Sequence, residues 1–212
     1  MTTTKTAAHV SIDINDSTTT TGMDLVAIER QALDTLNRAA ATSSDLDSFV
    51  NSFRRSLLLL DCSGSMSDIV RRTNERRIDA LRRCMRALRT THNVPMAAFG
   101  GYRQVEVVED APEPTGTTPM ADAIHFGREQ GANHLVIITD GGPNSEAETF
   151  DAAARFGNPI DVFFIGDTRD HGLTFARELA RRTGGTFHHA DISETKALTS
   201  TIAGLLGDGS GL

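Results

Sequence analysis

Ser56-Leu57-Leu58-Leu59-Leu60-Asp61-Cys62-Ser63-Gly64-Ser65-Met66-Ser67-Asp68 is the stretch on which the reading of this chain turns. Four consecutive leucines stop at a carboxylate. A short apolar run closed by a polar turn is the pattern of a β-strand buried on both faces of a parallel sheet. Hard oxygen groups follow at alternate positions, Asp61, Ser63 and Ser65, with Gly64 between the serines. Parallel sheets bind ligands at the C-terminal edge of their strands. A turn there can aim one carboxylate and two hydroxyls at one point. Such donors suit Mg²⁺ or Mn²⁺, not zinc or copper.

Working outward, Ile78, Leu81, Met85 and Leu88 line one face of a long helix expected from just after Asp68 to about Thr91. Eight arginines between Arg71 and Arg89, with Glu75 and Asp79 among them, read as a solvated face laced with ion pairs rather than a grip on nucleic acid. Strands are expected at 94–99 and 104–108, the second at an edge. Thr118-Pro119 should open a helix to about Glu129, with Thr as the cap and Pro at the first helical position. Residues 134–139 form a second buried strand ending at Asp140-Gly141-Gly142, and 160–165 a third. Helices are expected at 146–156, 173–182 and 193–206, with a short strand at 186–190. Strands alternating with helices imply a Rossmann-like, doubly wound, mainly parallel six-stranded sheet flanked by helices. In the order 3-2-1-4-5-6, Asp61 and Asp140 face each other across the crevice where the order reverses, and the helix start at Thr118 can reach it.

The 212 residues suit one domain with an appendage, and a formal charge of −7 argues against a general nucleic-acid binder. Two cysteines, Cys62 and Cys84, are too few for a disulfide framework and read as structural thiols. The opening residues lack the charged-then-apolar run of a signal peptide, and no apolar stretch approaches a membrane span, so we expect a cytoplasmic protein away from membranes. Residues 1–22 are Thr-rich, with Val10, Ile12 and Ile14 alternating as in a strand. Asp13, Asn15 and Ser17 echo a calcium loop but lack its glycine and closing glutamate. Residues 23–55 read as a helical extension of two amphipathic helices, expected to pack on the flank of the domain at 56–206 or on a neighbouring subunit. Residues 207–212 read as a flexible tail.

Asp61-Cys62-Ser63-Gly64-Ser65, then Thr118 in Thr-Gly-Thr-Thr-Pro-Met, then Asp140 in Ile-Ile-Thr-Asp-Gly-Gly-Pro-Asn, resembles the von Willebrand factor A family over about 56–206. The resemblance implies a metal-ion-dependent adhesion site. In it the hydroxyls of Ser63, Ser65 and Thr118 coordinate Mg²⁺ or Mn²⁺, and Asp61 and Asp140 hold the ion directly or through water. One position is left for an Asp or Glu of a protein partner. Thr118 is chosen over Thr117 because it precedes the proline. Intracellular members commonly serve ATPases or large complexes, so the resemblance implies a non-enzymatic adaptor or assembly module. A structural assembly subunit with an internally filled site is a further alternative. Another rival is a phosphatase: Asp61, Thr139 and Asp167 also resemble the haloacid dehalogenase series. That chemistry usually needs a carboxylate at position 63, which is Ser, and a lysine between Thr139 and Asp167, where there is none. His188-His189 cannot easily share one ion, since neighbours on a strand point to opposite faces.

Overall fold

The four-leucine run lies in the centre of a six-stranded sheet. The computed structural model describes residues 55–70, 73–101, 104–166, 172–190 and 194–206. The expected strand at 10–14, the helices of 23–55 and the tail at 207–212 lie outside them. In chain order the elements are β1 (Ser56–Asp61), a 3-10 turn (Gly64–Ser67), β2 (Ile69–Val70), β3 (Glu75–Arg76), α1 (Arg77–Arg89), β4 (Met96–Gly100), β5 (Gln104–Val107), α2 (Met120–Glu129), β6 (His134–Thr139), α3 (Glu146–Phe156), β7 (Ile160–Phe164), α4 (Gly172–Thr183), β8 (Phe187–His189) and α5 (Thr195–Leu206). The main sheet runs β5-β4-β1-β6-β7-β8, parallel except for the antiparallel edge strand β5. This is the expected order, with β1 and β6 adjacent at its reversal.

Alternation along the strands divides the core into two layers. Leu58, Leu60, Val136, Ile138 and Phe163 pack with Ile78, Leu81, Met85 and Leu88 of α1 and Leu198 and Ile202 of α5. Leu57, Leu59, Leu135, Ile137, Val162 and Phe164 pack on the other face with Ile124 of α2, Ala152 and Phe156 of α3 and Phe175 and Leu179 of α4. Two apolar faces per strand explain why these runs show no polar alternation. α3 is bounded as its sequence suggests: Ser145 caps the start by accepting from Glu148 N–H, and Gly157 ends it at φ 69°.

Two expectations need correction. The helix after Asp68 begins later, at Arg77. A small β2–β3 hairpin comes first, with Asn74 at φ 53° in its turn, and the Arg77 N–H donates to Asp68 O at 3.0 Å. Asn tolerates that left-handed conformation, and the hairpin returns the chain to its starting point. At α2, Pro119 stands at the cap position rather than inside the helix, with no side-chain cap from Thr118. The Thr118 N–H is taken instead by Asn144 Oδ1 at 2.8 Å. The arginine face is paired as expected, and the pairs reach beyond the helix: Arg76 and Arg82 bind Asp79 and Glu113, and Arg86 binds Asp110.

Candidate functional site

β1 and β6 end side by side, and their C-terminal residues meet. Asp61 is the last residue of β1, fully buried, with each carboxylate oxygen engaged: Oδ1 accepts from Ser63 N–H at 2.8 Å and Oδ2 from the Thr139 hydroxyl at 2.5 Å. The Ser63 and Ser65 hydroxyls are 3.2 Å apart, and Ser65 Oγ donates to Asp140 Oδ1 at 2.8 Å. Asp61, Ser63, Ser65 and Asp140 thus form one cluster across the strand-order reversal.

Thr118 arrives by backbone contacts. Asn144 N–H, four residues beyond Asp140, donates to Thr118 O at 3.0 Å. On the other side Gly64 N–H donates to Gly116 O at 3.2 Å, and Thr115 N–H to Cys62 O at 2.9 Å. The Thr117 hydroxyl donates to Gly101 O and accepts from the Asn144 side chain. Gly116 holds this crossing at φ 67°, where a Cβ would lie 2.5 Å from Gly101 Cα. Gly116→Ala should therefore destabilise the domain by about 2 kcal/mol or more and displace the Thr118 loop. Chemical denaturation checks it, and an unchanged midpoint would show that the crossing yields freely.

The electrostatics are anionic. Burial, and then the nearby Asp140 charge, push the Asp61 carboxyl up to about 6, against opposing hydrogen bonds from Thr139 and Ser63. The Asp140 side chain is 0% exposed, and its Oδ2 accepts from Arg77 Nη1 at 2.6 Å. Sequence reasoning treated Arg77 as one more arginine of the solvated face. The turn-forming Thr73-Asn74 pair, which brings it back beside Asp68, was the available signal. Thr139 and Asn144 were also missed as supports of Asp61 and Thr118. Among the described residues no group of three or more His, Cys, Asp or Glu side chains is placed to hold a metal ion. The donor set here has another chemistry, two buried carboxylates with neighbouring hydroxyls, and it fits a hard divalent cation.

The other residues singled out sit elsewhere. Cys62 and Cys84 are buried free thiols, and burial with the Asp61 charge pushes Cys62 up to about 12, so it is no reactive thiolate. His188 stacks on Phe163, and His189 hydrogen-bonds Gly166 O. At the opposite edge of the sheet Ser56 Oγ contacts His134 Nδ1 at 2.8 Å, His134 Nε2 contacts Asp161 Oδ2 at 2.7 Å, and Thr186 N–H and Oγ1 donate to Asp161 Oδ1. With His134 and Asp161 1% and 3% exposed, this chain joins β1, β6, β7 and the approach to β8 as a buried clamp.

No family model matches the chain, and a comparison with curated proteins returned no match. Solved structures do match in fold. A PilB minor pilin from Streptococcus sanguinis superposes with a TM-score of 0.54 at 17% identity, covering 72% of this chain and 60% of that one. Manganese-loaded Plasmodium vivax TRAP gives 0.51 at 20% identity, covering 74% of each chain. A von Willebrand factor type A protein from Catenulispora acidiphila gives 0.53 at 19% identity, covering 70% of this chain and 41% of that one. The fold is thus of the von Willebrand factor A type. The chain spans 60% of the pilin and less than half of the Catenulispora protein.

Proposed function

We propose that this chain is a protein-binding module whose contact depends on Mg²⁺ or Mn²⁺, held by Asp61, Ser63, Ser65, Thr118 and Asp140. The observation that carries it is the convergence of Asp61, Ser63, Ser65 and Asp140 at the C-terminal edge of β1 and β6. The ion supplies a Lewis-acidic position for a carboxylate from an Asp or Glu of the incoming protein. Asp61 and Asp140 provide the anionic charge, and the serine and threonine hydroxyls add neutral donors. With only two carboxylates and otherwise neutral hydroxyl donors the ion lacks a full anionic cage, which favours an external carboxylate over water at the remaining position. Asp61 is placed by Ser63 N–H and Thr139 as a fixed support. Full burial with both oxygens engaged makes it a poor nucleophile, which supports a binding module over the phosphatase reading. An adaptor role toward an ATPase or large complex, in the cytoplasm, belongs to the same proposal, as does the manganese-loaded state of the TRAP neighbour as precedent for the ion.

Asp140→Ala should weaken Mn²⁺ binding by about 100-fold or more, Ser63→Ala and Thr118→Ala by about tenfold, all with the fold kept because apolar burial holds the strands. Titration calorimetry and circular dichroism read both. Capture of a partner from native extract should be retained in Mg²⁺ and lost in EDTA or with Asp140→Ala. Equal capture in all three would remove the metal from the mechanism, and steady turnover of an aryl phosphate lost in Asp61→Asn would favour the phosphatase.

A further inference from the structure

Arg77 is the arginine of α1 whose carboxylate partner is sealed from solvent. Arg76, Arg82 and Arg86 pair with acids that stay partly exposed, whereas the Asp140 side chain is 0% exposed and Arg77 itself 18%. Both Asp140 oxygens are already matched: Oδ1 by the Ser65 hydroxyl at 2.8 Å and Oδ2 by Arg77 Nη1 at 2.6 Å. An ion that uses Asp140 must therefore compete with a cation that the protein carries itself. A second anchor lies within reach, since the same Nη1 is 3.7 Å from Asp68 Oδ2 and the Asp68 side chain is 67% exposed.

We infer that Arg77 is a tethered counter-cation of the candidate metal centre, seated on Asp140 when the ion is absent and withdrawing toward Asp68 when a divalent cation takes that carboxylate. The inference rests on the metal-dependent reading proposed above. The physics is an exchange of cations on one buried anion. A buried carboxylate left unpaired is strongly unfavourable, so Arg77 keeps the metal-free domain folded and lowers the apparent affinity of the site for its ion. Asp68 stabilises the exchanged state by giving the displaced guanidinium a solvated partner. The β2–β3 hairpin makes this possible, because it delivers Arg77 to the start of α1 beside Asp68. Metal occupancy, and with it partner binding, then answers to the free concentration of the ion rather than being permanent.

The test is Mn²⁺ titration calorimetry with thermal melts in EDTA and in saturating Mn²⁺, on the full chain and three variants. Arg77→Met keeps bulk and removes charge. It should bind Mn²⁺ about tenfold more tightly, melt lower than wild type in EDTA, and show a larger upward shift on adding Mn²⁺. Asp68→Asn should bind Mn²⁺ a few-fold more weakly. Arg82→Met removes the same charge from the same helix where it pairs with Asp79 and Glu113, and its Mn²⁺ affinity should match wild type. Wild type and Arg77→Met binding Mn²⁺ equally, or Arg82→Met gaining as much as Arg77→Met, would overturn the inference and leave the metal site standing. Failure of wild type and Arg77→Met alike to bind Mn²⁺ would overturn the metal-dependent reading and the inference together.

Discussion

In EDTA at pH 7, Asp61→Asn is expected to be more stable than the parent, by up to about 3 kcal/mol, while losing Mn²⁺ binding. Burial and the neighbouring Asp140 raise the Asp61 carboxyl from 3.8 to about 6, and each tenfold change in proton affinity is worth about 1.4 kcal/mol. A raised carboxyl binds its proton more tightly in the folded state. Ionising it therefore costs stability as pH rises from 3.8, and the full cost is reached above about 6. An amide carries no such charge and can keep the contacts. Its oxygen accepts from Ser63 N–H, its nitrogen donates to Thr139 Oγ1, and the Thr139 hydroxyl turns to Gly141 O, already 3.2 Å away. The advantage of the variant should shrink as pH falls and vanish below about 4. Denaturant titrations across that range measure it. A variant less stable than wild type at pH 7 would mean that the hydrogen bonds from Thr139 and Ser63 to the carboxylate outweigh the cost of its burial. Opposite effects on stability and binding are what a functional site built from crowded carboxylates should show.

His134→Ala should cost about 3 kcal/mol and lower the melting temperature by roughly 6–12 °C, because it leaves the Asp161 charge buried without its imidazole partner. Asp161→Ala should be comparably severe, since it also orphans Thr186 N–H. Asp161→Asn is expected to be mild, at about 1 kcal/mol. Its oxygen still accepts from Thr186, its nitrogen donates to His134 Nε2, and the ring shifts its proton to Nδ1 to donate to Ser56 Oγ. Burial raises the Asp161 carboxyl, but the hydrogen bonds from His134 and Thr186 outweigh it and leave it below its ordinary value. That contribution is complete above 3.8 and lost as pH falls through the lower folded value. The clamp therefore contributes to the acid limb of the stability profile, whereas Asp61 acts at higher pH. Equal losses in Asp161→Asn and Asp161→Ala would show that charge, not hydrogen bonding, is what the clamp requires.

The runs Leu57–Leu60, Leu135–Ile138 and Ile160–Ile165, short, largely apolar and each closed by a polar or Gly turn, marked the central strands, because a strand buried on both faces carries apolar side chains at successive positions. With strands and helices alternating, right-handed crossovers leave few arrangements, and the order β5-β4-β1-β6-β7-β8 was legible from them. So was the meeting of Asp61 with Asp140, each at the end of a central strand. What the sequence left open is whatever depends on pairing between segments far apart. Arg77 and Asp140 are separated by 63 positions, Ser56 and His134 by 78, and His134 and Asp161 by 27. The Thr73-Asn74 turn locally marks Arg77 as lying near Asp68, but nothing local marks it as the partner of the buried Asp140. The start of α1 was misjudged for the same reason: the Asp68–Arg76 segment closes on a backbone hydrogen bond from Arg77 to Asp68, not on any periodic pattern. Local periodicity follows from the backbone's own geometry and survives in one dimension. The matching of buried charges is settled only when tertiary packing removes the water that would otherwise solvate them.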